Sequence, residues 1–302
     1  MRKHGNLNRS RGYDIFYGIN LIFLTLLALL CVAPLLNLLS LSLSAGHYAA
    51  AGKVTFWPIE PTTASYEIVF ANKVFWNSLG VSVERVILGT SLTLVVNILT
   101  SYPLSMDSSY FHARRYYLWY FFFTTLFSGG LIPTFLVVKF TGLYDTIWAL
   151  VLPGCANVWN CILMLNFFRQ LPKELSEAAV IDGAGHFSIL FRIIVPISKP
   201  VLATVTLFTM VGHWNDWFGG MVYMSTLSHY PLQTYLQSIL HIDLTQIALS
   251  SVDFRIQEKI QLASSTTIRS AMVFVTALPI MMVYPFLQKY FTKGIVLGSV
   301  KG

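Results

Sequence analysis

The sequence predicts an all-helical integral membrane protein with six transmembrane helices, and three observations support this fold class. Of the 302 residues, 55% are hydrophobic and only 11% are charged, and the mean hydropathy is +0.63. That composition is more apolar than the core of a water-soluble protein requires. Several apolar runs reach the roughly 20 residues that a helix needs to cross about 30 Å of hydrocarbon. Because an open sheet edge cannot satisfy its backbone groups in lipid, these runs are expected to be helices.

Six membrane spans can be placed along the chain, within one membrane domain that covers residues 1–302. The predicted spans are at about 14–42, 77–104, 117–138, 147–168, 201–225 and 268–290. The first run follows a basic N-terminus and is also compatible with a signal peptide. We retain it as a span because its apolar run of about 25 residues exceeds the usual 7–15 residues of a signal peptide core.

The distribution of basic residues predicts which side of the membrane is cytoplasmic. One side carries most of them: Arg2, Lys3, Arg9, Arg11, Arg114, Arg115, Arg169, Lys173, Arg192, Lys199, Lys289, Lys293 and Lys301. The opposite side has fewer basic residues, which are spread over longer loops. Because lysine and arginine are enriched in the cytoplasmic loops of membrane proteins, both termini are predicted to be cytoplasmic. This sidedness accounts for the net charge of +7 without a nucleic-acid partner.

The outer loops and the cysteines carry weaker signals. Two outer segments, Ser44 to Trp76 and Thr226 to Gln261, are long and of mixed composition, so either is able to dock a partner. The three cysteines, Cys31, Cys155 and Cys161, lie in apolar segments. We expect free packed thiols rather than a disulfide or a metal site.

The only substantial inner loop, residues 169–200, carries polar residues and glycines between two apolar runs. The stretch "KELSEAAVID" favours a helix of about 15 Å, which is too short to span and is expected to lie on the cytoplasmic surface. Gly183 and Gly185 predict a turn after it. A second helix, ended by Pro196, is predicted to bury one apolar face, formed by Phe187, Leu190, Phe191 and Ile194. In the first helix, Leu175, Ala178 and Ala179 share a face that permits close approach by another surface.

Spacing alone leaves a solvated hairpin and a docking element equally open for this loop. The segment resembles the EAA loop of permease subunits in bacterial ABC importers. The matching positions are Glu177, Ala178, Ala179, Gly183, Ile193 and Pro196, with Val195 where leucine is usual. The stretches "TFWP", "HWNDWF" and "QKYFTKGIVLGSVKG" resemble carbohydrate permeases of the MalG/LplC type, and the similarity covers most of the chain.

The resemblance implies a type I ABC importer permease with the MetI-like fold, in the bacterial plasma (inner) membrane. The implied partners are a second homologous permease, two ATPase subunits, an extracytoplasmic sugar-binding protein, membrane lipids and a carbohydrate substrate. Residues 177–183 would form the coupling helix, and the ATPase-coupling set would be Glu177, Ala178, Ala179, Asp182, Gly183 and Ala184. The chain has no G-x-x-x-x-G-K-[ST] phosphate loop. We therefore expect no cofactor and no catalysis in this chain, with ATP and Mg²⁺ on the partner subunits.

Two other function classes are compatible with a polytopic membrane chain. An ion-gradient-driven secondary transporter is favoured by Asp216 in the fifth span, since a charge at a helix centre costs roughly 2.5–3.5 kcal/mol on insertion scales. A membrane enzyme has less support, because no His-rich or carboxylate cluster with ligand spacing lies near a membrane face.

The most polar intramembrane cluster lies in the fifth span and is a candidate substrate pathway. Its residues are His213, Trp214, Asn215, Asp216 and Trp217, of which the first, fourth and fifth are predicted to share one helical face. Aromatic rings beside hydrogen-bonding groups suit a sugar, but bonds to the partner permease are an equal alternative.

The remaining polar residues of the predicted spans are given structural roles. Glu84 and Arg85 precede the most apolar stretch of the second span and are predicted to be interfacial. Asn97 and Asn157 are single polar residues in spans, and we expect them to hold helices together.

Overall fold

A computed structural model describes residues 11–239 and 262–299 of this chain, and no β-strand occurs in these ranges. Part of the sequence evidence lies outside the described residues. This holds for the basic residues Arg2, Lys3, Arg9 and Lys301, and for most of the outer loop Thr226 to Gln261.

The described helices are numbered in chain order. They are α1 (Arg11–Ser42), α2 (Gly46–Ala50), α3 (Ala64–Ala71), α4 (Lys73–Ser105), α5 (Arg114–Leu126), α6 (Leu131–Phe140), α7 (Ile147–Val151), α8 (Val158–Arg169), α9 (Lys173–Ile181), α10 (His186–Ile189), α11 (Val195–Ile197), α12 (Lys199–Asn215), α13 (Phe218–Tyr223), α14 (Leu232–Ile239) and α15 (Ser265–Ser299). A π-helical turn, Leu190–Ile194, joins α10 to α11, and a 3₁₀ turn, Leu227–His229, precedes α14. The chain divides into two compact units, one within Met1–Ala71 and Ile242–Val275 and the other within Asn72–His241 and Thr276–Gly302.

In the first unit, hydroxyl groups near the end of α1 hold the segment that follows it. Ser40 Oγ donates to the carbonyl of Phe56 at 2.6 Å, and Ser44 Oγ accepts from the backbone N–H of Ile59 at 3.0 Å. Ser65 of α3 donates to the Thr267 hydroxyl of α15 at 2.8 Å. These contacts hold the segment between α1 and α3 in place.

In the second unit, α4 is the central helix and packs against α8 and α12. Its buried face is a stripe of small and polar residues at helical spacing: Ser78, Ser82, Gly89, Thr93, Asn97 and Ser101. Small residues let helix backbones approach closely in lipid, where apolar burial alone does not drive association. Asn97 Nδ2 donates to Cys155 O, in the segment between α7 and α8, at 3.4 Å, so it links α4 to that segment rather than to a helix as predicted. Ser101 Oγ donates to Cys161 O of α8 at 3.1 Å.

Three helical segments among the described residues are long and apolar enough to cross a membrane: Gly12–Ser42, Lys73–Ser105 and Ser265–Val283. Two further pairs qualify if each bent pair is counted as one span, Arg114–Leu126 with Leu131–Phe140 (115°) and His186–Ile197 with Lys199–Asn215 (81°). The all-helical fold class is confirmed, and the count of six spans stays a prediction.

Three of the predicted spans contain a break that the apolar pattern did not reveal. The span at 117–138 is interrupted between α5 and α6, where Gly130 adopts a φ of +88°. The span at 147–168 is divided between α7 and α8, around Pro153 and Gly154, and the span at 201–225 is divided at Asp216. Pro and Gly break helices for known reasons, whereas the break at Asp216 depends on a tertiary contact described below.

Candidate functional site

The predicted coupling segment forms a short helix that ends in a Schellman motif. In α9 and the turn after it, the Ala184 N–H donates to Ala179 O at 2.9 Å and the Gly183 N–H donates to Val180 O at 3.0 Å. This pair of bonds requires a left-handed residue between them. Gly183 supplies it with a φ of +80°, whereas Gly185 has an ordinary φ of −73°. Of the two predicted turn glycines, only Gly183 is conformationally required.

The coupling segment exposes an apolar surface at its C-terminal end. Ile181 is 85% exposed and Phe187 is 73% exposed, and Val180 is exposed beside them. We call these three residues the coupling knob. Of the six predicted coupling residues, Ala179 is buried, Ala184 is half-buried, and Glu177, Ala178, Asp182 and Gly183 are exposed. Val180 and Ile181 end α9 and Phe187 is in α10, and exposed large apolar residues of this kind are typical of an interaction surface.

The second helix of the inner loop differs from the prediction in two respects. Leu190 and Ile194 are buried, but Phe187 and Phe191 are exposed, so only half of the predicted apolar face packs on the membrane helices. A π-helical turn at Leu190–Ile194 widens the backbone and shifts the 3.6-residue register on which the prediction relied. The helix also runs one residue past Pro196, and the chain turns at Ser198 instead.

One polar contact joins the start of α9 to the end of α4, and a second joins the end of α8 to it. Lys173 Nζ lies 2.6 Å from Asp107 Oδ2, and Arg169 Nη2 donates to the carbonyl of Leu104 at 3.4 Å. The hydrogen bond and the charge interaction between Asp107 and Lys173 lower the pKa of Asp107 and raise the pKa of Lys173. Both groups are therefore charged at every physiological pH.

The predicted pathway cluster is built around an ion pair that sequence reasoning missed. Arg85 of α4 pairs through Nη2 with the Asp216 carboxylate and through Nη1 with its backbone carbonyl at 2.7 Å. Asp216 Oδ1 also accepts from the Gly219 N–H at 3.0 Å, which caps the start of α13. Arg85 is buried within the chain and pairs with Asp216, a contact that the sequence did not reveal, and its position at the membrane interface stays a prediction. The guanidinium can lie inside because its countercharge comes from a residue 131 positions later in the chain.

The helix break at Asp216 separates the five residues of the cluster. Because α12 ends at Asn215 and Asp216 has an extended ψ of 100°, the expectation that His213, Asp216 and Trp217 share one helical face is wrong. The carboxylate competes with the helical backbone for hydrogen bonds and starts a new helix. Trp214 is buried, and its indole N–H donates to Thr276 O at 3.1 Å.

A cavity of about 580 Å³ lies among α4, α8 and the end of α12. His213 and Asp216 line it, but Trp214, Asn215 and Trp217 do not. Its other polar lining residues are Arg85, Thr93, Asn157, Asn160 and Thr209, and its aromatic lining residues are Trp159, Phe208 and Tyr223. A mostly apolar cavity with a few placed polar groups is the usual form of a small-molecule site.

Some polar side chains on the cavity wall are held by hydrogen bonds, whereas two buried polar atoms there have no partner among the described residues. Asn157 Oδ1 accepts from the Asn160 N–H at 3.0 Å and caps α8, so it is a helix cap rather than the expected link between helices. Asn160 Nδ2 donates to Thr209 Oγ1 at 3.2 Å. Within the described part of the chain, the buried atoms Arg85 Nε and Thr93 Oγ1 have no hydrogen-bond partner. Buried polar atoms without a partner are uncommon and suggest a bound ligand or water.

His213 sits against α4 at a glycine. A Cβ at Gly89 would overlap the imidazole of His213, so a larger residue would displace the ring from this position. Gly89 lies one turn after Arg85 and one turn before Thr93 on the same face of α4, and of these three residues Arg85 and Thr93 line the cavity.

Outside the apolar segments, Asp145 ties the loop before α7 to the loop after α13. Its carboxylate accepts from the N–H groups of Ser225 and Thr226, from the Thr226 hydroxyl at 2.6 Å, and lies 3.2 Å from His229 Nδ1. Desolvation raises the pKa of Asp145, but these hydrogen bonds together outweigh it and hold the pKa well below the ordinary value. Asp145 is thus a fixed negative charge that joins the two loops.

The chain matches the family described as "Binding-protein-dependent transport system inner membrane component" over residues 77–297. It is 37% identical over 297 residues to "Protein LplC" of Bacillus subtilis (strain 168), covering 98% of each chain. It is 35% identical over 301 residues to the "Polygalacturonan/rhamnogalacturonan transport system permease protein YtcP" of the same organism, covering 97% of this chain and all of that one.

A solved structure gives the same assignment for the fold. The chain superposes with a TM-score of 0.84 and 30% identity on a chain from the crystal structure of a bacterial ABC transporter involved in the import of the acidic polysaccharide alginate. The alignment covers 95% of this chain and 100% of that one.

Proposed function

Because the chain belongs to the family of binding-protein-dependent transport system inner membrane components, we propose that it is a permease subunit of an ATP-driven importer for a sugar or oligosaccharide. It is a transporter subunit of the bacterial plasma membrane and not an enzyme. The chain contains no phosphate-binding loop, and ATP hydrolysis belongs to a separate subunit.

The substrate class rests on one observation. The chain aligns over nearly its full length with a permease named for polygalacturonan and rhamnogalacturonan transport and with a chain of an alginate importer. We therefore assign the cargo to the carbohydrates. A second permease, two ATPase subunits and an extracytoplasmic binding protein complete the proposed transporter, and ATP and Mg²⁺ act on the ATPase subunits.

Transport by inside-out and right-side-out vesicles tests this function. The tagged chain is purified with its partners, which are identified by mass spectrometry, and the complex is reconstituted with its binding protein. We expect sugar uptake only with ATP on the cytoplasmic side and the binding protein on the other. Uptake driven by a proton or sodium gradient without nucleotide would identify a secondary transporter instead.

The structure weakens the observation that favoured a secondary transporter. An isolated carboxylate in a span suggests a proton or ion site. Asp216 is not isolated, because the buried guanidinium of Arg85 pairs with it. A charge that already has a protein countercharge requires no transported cation.

We assign ATPase coupling to α9 and the turn after it. The contact surface is the coupling knob, because Val180 and Ile181 at the end of α9 and Phe187 in α10 are all exposed. Glu177 and Asp182 add exposed carboxylates, and the exposed Ala178 allows close backbone approach. Ala179 and Ala184 act from behind this surface, since their backbone bond closes the turn at Gly183. The bond between Lys173 and Asp107 then links the movement of α9 to α4.

We assign the sugar pathway to the cavity beside the Asp216 break. His213 and Asp216 belong to its wall, while Trp214, Asn215 and Trp217 support the same break from outside the wall. Trp159 is exposed in the single chain, and its ring offers a face on which the C–H groups of a sugar can stack. Asn160 and Thr93 offer hydrogen-bonding groups to hydroxyls.

A matched pair of tryptophan variants tests the pathway. Trp159→Ala removes an aromatic ring from the cavity wall, whereas Trp119→Ala removes an equally exposed ring from α5, away from the cavity. We expect Trp159→Ala to slow sugar uptake several-fold, or to change the preference between neutral and acidic oligosaccharides, at unchanged complex yield. If the two variants transport alike, the cavity does not contact substrate.

The six-span topology with both termini in the cytoplasm is also part of the proposal. It is supported by the basic flanks Arg114, Arg115 and Arg169, which lie at helix ends in the structure. Cysteine labelling at Ala113 and at Thr226 checks it, because only the second position should react with an impermeant reagent added outside the cell.

A further inference from the structure

A second cavity, of about 380 Å³, is lined in part by α9, including Glu177 and Val180 of the proposed coupling surface, and the function proposed above assigns it no ligand. We call it the α4–α9 groove. Phe168, Ile189 and Ile194 give it an apolar wall, and the ends of α4 and α8, the start of α5, and α9 form most of the rest. Its volume is within the range of about 300–1,000 Å³ that is usual for small-molecule sites.

The groove contains two arginines whose charges have no countercharge in direct contact. Lys173 also lines it but is already bonded to Asp107. Arg169 makes one long hydrogen bond, at 3.4 Å, to a backbone carbonyl. Arg114 forms no ion pair within the described part of the chain, and its buried Nε has no hydrogen-bond partner there. With Glu177 as the only other carboxylate on the wall, the groove carries a net positive charge.

The position of the groove is that of a membrane–water interface. It lies where the apolar helix α4 ends, at Ser105, and where α5 begins, at Arg114. The first two turns of α5 expose Tyr116, Trp119 and Tyr120. Tyrosine and tryptophan are enriched at the headgroup level of membrane proteins, so these aromatic residues predict that the arginines lie at the depth of the lipid phosphates.

We propose that the α4–α9 groove binds the phosphate of an anionic phospholipid, with its apolar wall against the lipid's glycerol and upper acyl carbons. Arginine binds phosphate through a planar fork of donors, which would satisfy the open Nε of Arg114. Basic pockets between helices on the cytoplasmic side of membrane proteins bind anionic headgroups in this way. Since α9 forms one side of the groove, the lipid would support the coupling helix from behind.

Native mass spectrometry of the purified complete transporter tests the proposal, with phosphatidylglycerol added to delipidated complex and phosphatidylcholine as the neutral comparison. We expect selective binding of phosphatidylglycerol, weakened about fivefold by Arg114→Gln and independently by Arg169→Gln. Arg115→Gln is the matched control, because it removes the same charge from the adjacent residue, which does not line the groove. Its binding should equal that of the wild type.

Each other outcome overturns the proposal. Equal losses for Arg114→Gln and Arg115→Gln would mean that lipid responds to general surface charge. Displacement of the lipid by inorganic phosphate at millimolar concentration would identify a free phosphate site. Wild-type binding in both groove variants would mean that the lipid binds elsewhere on the complex. None of these results bears on sugar import, which is assayed separately in vesicles.

Discussion

The turn behind the coupling helix gives the sharpest test of the coupling proposal, because two neighbouring glycines differ in backbone conformation. Gly183 has a φ of +80°, and Gly185 has a φ of −73° and a ψ of 162°. A Cβ added at either glycine would meet no atom within 4 Å. Any difference between Gly183→Val and Gly185→Val must therefore come from the backbone and not from a steric clash.

The expected magnitude follows from the left-handed conformation alone. A residue with a Cβ pays roughly 1–2 kcal/mol there, and up to about 3 kcal/mol if it is bulky. If the strain is relieved by re-forming the turn, the docked position of the coupling knob becomes less populated by roughly 5- to 150-fold, since about 1.4 kcal/mol is tenfold. Gly185→Val adopts an extended conformation that valine favours, and no side-chain cap is lost at this position.

The assay is titration of the purified ATPase, identified by co-purification, onto the reconstituted permease pair, followed by sugar-stimulated hydrolysis. We expect Gly183→Val to weaken ATPase binding or to uncouple hydrolysis from uptake, at normal membrane insertion. Gly183→Asn should retain more binding, because asparagine tolerates the left-handed region. If Gly183→Val and Gly185→Val behave alike, the strained turn does not position the ATPase contact.

Three further predictions concern the charged groups. Asp216→Ala should cost about 3–5 kcal/mol of stability, because it leaves the buried guanidinium of Arg85 unpaired. It should therefore lower the melting temperature of the purified complex more than Arg85→Met, which leaves a partly exposed carboxylate unpaired. A double variant whose loss equals the sum of the two single losses would exclude coupling between the residues. Asp145→Asn should lower the melting temperature at pH 8, and this difference should disappear in strong acid. The lowered pKa of Asp145 keeps its contribution above the ordinary carboxyl value and loses it only below that value. An equal difference at pH 8 and in strong acid contradicts this. Asp107→Asn should leave the melting temperature unchanged, because its pair with Lys173 is exposed, and a drop comparable to that of Asp216→Ala would show that this pair is structural.

The coupling segment shows how far local sequence information extends. The helix at "KELSEAAV" and the turn at Gly183 are both present. Both could be predicted because helix propensity and the need for a left-handed residue each depend on only a few neighbouring positions in the chain. The burial of the following helix was predicted only in part. Its π-helical turn places Phe191 outside, and periodicity arguments assume a regular 3.6-residue repeat.

The sequence by itself determined that this is an all-helical membrane protein with a surface helix in its inner loop, because hydrophobicity and helix-ending residues are properties of short segments. The tertiary structure alone decided the chemistry of the fifth span. Arg85 looked interfacial and Asp216 looked like an isolated charge, since each was judged by its own neighbours in the chain. A charge is stable in an apolar environment only beside its countercharge, and that partner lies on another helix, 131 residues away.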